Sequence, residues 1–140
     1  MKFTSTVAAA SLLLAGASLA QAAPAPYITI DHSAEALMDA DTASAMWKAH
    51  QSDKLMRMYP AKKWGFASQV EGGFTESKVC VVTARAMMLP RSGKSLLFRP
   101  AKTATAFASL PDATAQQCKA LAKTKLNEAV DAIEAALLKS

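Results

Sequence analysis

Toward the C-terminus, apolar side chains return every three or four positions. Cys118, Ala122, Leu126, Ala129, Val130, Ile133 and Leu137 fall within about a third of a helical circumference, with Gln116, Asn127, Glu128, Asp131 and Glu134 outside it. The spacing predicts one long amphipathic helix from about Asp112 to Leu138, opened by Leu110-Pro111-Asp112. Between Trp64 and Phe74 the period shortens to two: Phe66, Val70 and Phe74 share a side with Ser68 and Gly72, and Ala67, Gln69 and Glu71 take the other. That stretch predicts a first strand. From Lys78 to Leu110 the pattern is a β-hairpin, its turn written Pro90-Arg91-Ser92-Gly93. In its first arm Cys80, Val82, Ala84, Ala86 and Met88 form the more uniformly apolar face, which is assigned to the core. In its second arm Pro100 lacks a backbone donor and predicts a bulge or an edge position.

Upstream, Leu37/Met38, Ala45/Met46, Ala49, Met56 and Tyr59 recur at helical spacing across Ser33 to Met58. Asp31 or Ser33 can cap this helix, Asp39 to Thr42 interrupts its apolar face and can divide it in two, and Tyr59-Pro60 ends it. Tyr27 to Ile30 reads as a short edge strand. The predicted class is α+β: a three-stranded antiparallel β-meander packed by an N-terminal and a C-terminal helix, in the order α-β-β-β-α.

The first residues change the picture of where the chain works. Lys2, the apolar run Val7 to Ala20 and Ala20-Gln21-Ala22 follow the grammar of a secretory signal peptide, so residues 1–22 are expected to be removed. Residues 23–32, with Pro24 and Pro26, then form an extended arm and residues 33–140 a single domain; no lipid-bearing cysteine or second apolar run provides a stable membrane anchor. Export implies an oxidising compartment, periplasmic or secreted. There Cys80 and Cys118, each on the apolar face of its own element, are expected to form one disulfide between helix and sheet.

Charge is segregated. Asp31, Glu35, Asp39 and Asp41 occur with no base between them, whereas Thr42 to Lys125 holds 14 bases against Asp53, Glu71, Glu76 and Asp112. Such segregation favours steering toward an acidic partner. The candidate binding residues are Arg91, Lys94, Arg99, Lys102, Lys119 and Lys123, with neither Arg91 nor Lys94 expected to matter to the fold. A second candidate constellation is Met46, His50, Met56 and Met58, whose thioethers and imidazole suit Cu(I).

Catalytic patterns are missing. Gly93-Lys94-Ser95 is half of a P-loop, but the position that needs the first glycine holds Met88 and the following residues read as strand. CxxC, CxxCH and GxSxG do not occur, and aromatic side chains that could stack on bases are few. The expectation is therefore a small exported module that is not an enzyme, carries no cofactor and reads no nucleic-acid sequence. It binds an acidic protein or envelope polymer, as an inhibitor, an immunity-type protein or an accessory subunit would. The alternative expectation is a periplasmic copper or small-ligand carrier built on the Met/His helix.

Overall fold

The helix at the end of the chain, α3 (Ala115–Leu138), starts where its backbone donors are first satisfied. The Thr114 hydroxyl accepts from Gln117 N, and the Gln117 side chain accepts from Thr114 N, a reciprocal capping box. Asp112 has φ 53°, outside helical space, so the helix opens three residues later than the sequence predicts. The computed structural model describes residues 25–139; the expected leader, residues 1–22, lies outside the described residues. All seven apolar positions of the α3 stripe are buried.

They close on a sheet whose centre is β3 (Cys80–Ser92). Along one side β3 pairs antiparallel with β2 (Trp64–Phe74), from Trp64 opposite Pro90 to Phe74 opposite Cys80. Along the other it pairs with β5 (Lys102–Leu110), Cys80 opposite Leu110 and Met88 opposite Lys102. Phe66, Val70, Val82, Ala84, Ala86 and Met88 form the inner face under α3. Cys80 and Cys118 are joined across this layer with their Cα atoms 5.7 Å apart, as the two periodicities require. Phe74 is the exception to its predicted face: it is half exposed.

The predicted three-stranded meander is corrected to five strands. One extra strand is β1 (Thr29–Asp31), which adds to the outside of β2 in parallel, Thr29 opposite Phe66. A parallel partner cannot arrive by a hairpin, so the two short helices that follow β1 serve as the crossover. The other comes from division of the third strand: β4 (Ser95–Leu96) pairs with Arg91 and Ser92, the chain bulges over Leu97–Ala101 around Pro100, and β5 resumes. The missing proline donor thus has the effect expected of it. Arg91 and Ser92 belong to β3, which leaves Gly93-Lys94 as the two-residue loop, with Gly93 at φ 60°.

The single N-terminal helix is likewise corrected. Residues 33–39 are not helical but hold a turn at 35–37, and the helices are α1 (Ala40–Ala49) and α2 (Asp53–Met58). The break falls at 50–52, after the interruption predicted at Asp39 to Thr42, because Asp39 caps α1 and Ser52 caps α2. The Asp39 carboxylate accepts from Thr42 N and Oγ1, both at 2.8 Å, and these bonds hold its pKa below the ordinary value. In the core, Trp47 stacks on Phe66 with ring centroids 4.3 Å apart and donates its indole N–H to Ser68 Oγ at 2.8 Å. Ser68 is fully buried, and this bond explains a hydroxyl among apolar neighbours.

Candidate functional site

The antiparallel register collects bases at one end of the sheet. Trp64 opposite Pro90 sets Lys62 and Lys63, which enter β2, beside Arg91 near the end of β3. The contact is direct: Arg91 N donates to Lys63 O at 2.7 Å, and the Arg91 guanidinium donates to Ala61 O and to Gly93 O, each at 2.8 Å. Beyond it lies the Gly93-Lys94 loop. The bulge that follows presents Arg99 and returns through Ala101 N, which donates to Met88 O at 2.9 Å, placing Lys102 at the same end.

Six bases therefore meet here, from two segments far apart in sequence: Lys62, Lys63, Arg91, Lys94, Arg99 and Lys102. Residues 59–66 and 88–103, which build this end, contain no Asp or Glu. Among the described residues none of the six is in an ion pair. Five are exposed and Arg91 is half-buried. Leu97 and Phe98 are exposed among them, with Phe98 edge-on to His32 at 5.6 Å. Such an array produces a positive field that reaches about a Debye length, ~8 Å at physiological salt, and offers charge-assisted hydrogen bonds to carboxylate, sulfate or phosphate oxygens.

Arg91 differs from its neighbours. Its guanidinium links the hairpin loop to the chain entering β2, so it is a structural residue as well as a charge, contrary to the expectation that it is dispensable to the fold. Lys94, on the loop itself, makes no such contact.

Lys119 and Lys123 do not join this group. Cys118 is bonded to Cys80 at the start of β3, so both lysines stand at the opposite end of the sheet from Gly93. Twelve steps of strand separate the two ends, up to about 40 Å. There they line a groove of ≈ 340 Å³ with Glu35, Asp39, Thr42 and Gln116, where two carboxylates offset their charge. The expected basic surface is thus two surfaces, and only at the hairpin end do the segments that carry the bases contain no acid.

No known protein family matches this chain, and no curated protein does. Solved structures give remote likenesses. A dodecamer of a point variant of PelC from Paraburkholderia phytofirmans aligns at TM-score 0.44 and 7% identity over 77% of this chain and 87% of that one. A second PelC dodecamer from the same organism aligns at TM-score 0.41 and 7% identity, covering 77% of this chain and 86% of that one. A candidate lipoprotein from Caulobacter crescentus aligns at TM-score 0.38 and 9% identity, covering 78% and 88%. At these values the likeness carries no functional argument, and the geometry has to speak for itself.

Of the Met/His constellation, Met46 and His50 both border Asn127 of α3, whereas Met56 and Met58 border other surfaces. Met46 is buried beside a groove lined by Ala120, Lys123, Thr124 and Asn127 of α3, whereas Met56 lines a separate cavity with Tyr27, Pro60 and Ala61. Met58 is exposed at the end of α2. His50 caps the end of α1 and is engaged by α3: its Nδ1 lies 2.8 Å from Glu134 Oε2 and 3.4 Å from Asp131 Oδ1, and its Nε2 3.4 Å from Asn127 Oδ1. That arrangement ties the α1–α2 corner to α3 by polar contacts. No signal in the sequence paired His50 with Glu134, 84 positions away.

Proposed function

We propose that this protein is a small exported binding module, not an enzyme, whose hairpin end engages an acidic macromolecule in the cell envelope or outside it. The observation that carries this reading is the gathering of Lys62, Lys63, Arg91, Lys94, Arg99 and Lys102 at one end of the sheet with no carboxylate in the segments that build it. The Cys80–Cys118 disulfide supports residence in an oxidising compartment. Basic residues spread evenly for solubility would be interleaved with acids, as Lys119 and Lys123 are; a one-signed end acts on partners at a distance and raises association rates.

The partner is an acidic protein surface or an acidic envelope polymer. The experiment is capture from envelope extract at low and high salt, followed by association kinetics of the captured partner with wild type and with the Lys94→Glu/Arg99→Glu/Lys102→Glu variant. Wild type is expected to associate faster at low salt, and the variant to lose at least about tenfold in on-rate with a flattened salt dependence. An on-rate unchanged by the three reversals removes the hairpin end from the interface and overturns the reading.

A further inference from the structure

Electrostatics accounts for the bases of the hairpin end but not for the apolar side chains set among them. Every residue from 97 to 103 is exposed, and within that stretch Leu97 is 47% and Phe98 61% exposed. The neighbouring Leu96 packs with Ala67, Met87 and Leu89, so that small cluster is formed without either of them. The bulge that carries them is pinned. Leu97 N donates to Pro90 O at 2.8 Å, Arg99 N to Leu97 O at 2.7 Å and Ala101 N to Met88 O at 2.9 Å. The backbone is therefore fixed on both sides of Phe98, whose ring rests edge-on against exposed His32. Two large apolar side chains are held in water at the end of the molecule, the kind of patch that marks a contact surface.

The two chemistries are interleaved. Along the chain the order is Lys94-Ser95-Leu96-Leu97-Phe98-Arg99-Pro100-Ala101-Lys102, and Lys62 and Lys63 stand beside it through the β2–β3 register. A solvated polyanion satisfies the bases and leaves Leu97 and Phe98 in water. One kind of surface takes both: the interface of an anionic phospholipid bilayer. There lysine and arginine reach phosphate oxygens while aromatic and aliphatic side chains enter the boundary between headgroups and acyl chains. The segments that build this end contain no carboxylate to be repelled by such a surface.

We infer that the hairpin end is an interfacial membrane contact: Leu97 and Phe98 enter the headgroup boundary of an anionic phospholipid bilayer while the surrounding lysines and Arg99 pair with its phosphates. This rests on the hairpin end being the binding surface proposed above, and it gives that surface a lipid ligand beside the acidic macromolecule. Charge and apolar contact act together. Each base brought to an anionic bilayer strengthens partition about fivefold, an effect that salt screens. Insertion of the two apolar side chains adds a part that salt does not remove. The contact is reversible, since even a single fatty-acyl chain, which buries more apolar surface, gives only marginal binding by itself.

The test is co-sedimentation of the disulfide-bonded protein with vesicles of phosphatidylglycerol and phosphatidylethanolamine, and with vesicles of phosphatidylcholine alone, at low and high salt. Wild type is expected to bind the anionic vesicles far more tightly than the zwitterionic ones. The Lys94→Glu/Arg99→Glu/Lys102→Glu variant should lose at least about a hundredfold in partition. Leu97→Ser/Phe98→Ser should lose at least about tenfold with its charge and melting temperature unchanged; Leu97→Ser alone is the second variant if the pair fails to fold. In Phe98→Trp, the emission added over wild type should shift to the blue on anionic vesicles and be quenched by brominated acyl chains. Equal binding to phosphatidylcholine overturns the inference, as does binding by the Leu97/Phe98 variant equal to wild type, which would reduce the contact to electrostatic adsorption. Absence of vesicle binding in a protein that still captures an acidic protein or polymer in a salt-sensitive way overturns the lipid contact alone. Vesicle binding that needs both the bases and Leu97/Phe98, with a macromolecular on-rate unchanged by the three reversals, overturns the acidic-macromolecule reading and leaves the lipid contact in place.

Discussion

Replacing both cysteines by alanine removes the single covalent link between α3 and the sheet, and the structure fixes what it should cost. The bonded residues are 38 apart in sequence. In the loop-entropy model a closed loop of that length lowers the entropy of the unfolded chain by about 13 cal/mol/K, or about 4 kcal/mol at 25 °C. Residues 25–139 unfold with an entropy of roughly 0.24 kcal/mol/K at the midpoint, so the melting temperature should fall by about 15 °C. Both sulfur positions are buried, at 0% and 1% exposure, so each alanine adds a small packing cost and the shift should not be smaller. The double variant is the right perturbation: Cys118→Ser alone would leave a thiol and a hydroxyl in an apolar layer and mix two effects. The assay is thermal unfolding by circular dichroism, with guanidinium titration to check the slope. A drop under about 5 °C with an unchanged slope would refute the reasoning, because it would mean the reduced unfolded chain is already held nearly as tightly as the oxidised one.

Ser68→Ala should cost about 1–3 kcal/mol by denaturant titration, since it strands the buried indole N–H of Trp47; a loss below about 0.5 kcal/mol would show that the indole finds another acceptor. Arg91→Glu should lower the melting temperature by several degrees while Lys94→Glu leaves it within about a degree, because only Arg91 ties Ala61 to Gly93; equal effects would dissociate the clamp from stability. Burial raises the pKa of Tyr27 above 10.0, so its neutral phenol is favoured in the folded state. That contribution is complete below about pH 10 and is lost as pH rises through the higher folded value. In urea titrations between pH 9 and 11.5, Tyr27→Phe should flatten the alkaline decline, and a decline identical to wild type would assign it to other groups.

What could be read from the residues was what a regular period carries. The α3 stripe, the core face of β3 and the bounds of β2 follow from side-chain alternation alone, and the disulfide follows because two such faces each hold a cysteine. Features whose cause lies elsewhere in the fold were not legible. A short edge strand at Tyr27 to Ile30 was legible, but not that it runs over Thr29–Asp31 and pairs in parallel with β2: with three half-buried side chains it has no period that could tell which strand it joins. Ser68 looks like a defect in an apolar face until Trp47, 21 positions earlier, is seen to need an acceptor. For the site, the identities of the bases were plain but their grouping was not: Lys62 and Lys63 join Arg91 only through the β2–β3 register. The separation of Lys119 and Lys123 was in fact derivable, since the disulfide places Cys118 at the far end of β3 from its hairpin.

The position of α3 in the chain governs when folding can happen. The sheet's inner face is covered by a 24-residue helix that follows every strand of the sheet in the chain, and both ends of that helix are fastened to earlier elements, by Cys80 at the start and by Lys54 and Tyr59 on the Leu138 and Leu137 carbonyls at the finish. Until α3 docks, Val82, Ala84 and Met88 lack the layer that covers them, so a chain truncated before residue 115 displays an apolar strand face and depends on holding chaperones or meets proteases. Loss of the final two turns of α3 would remove Ile133 and Leu137 together with both carbonyl contacts, so a helix left undocked at that end uncovers the apolar layer beneath it.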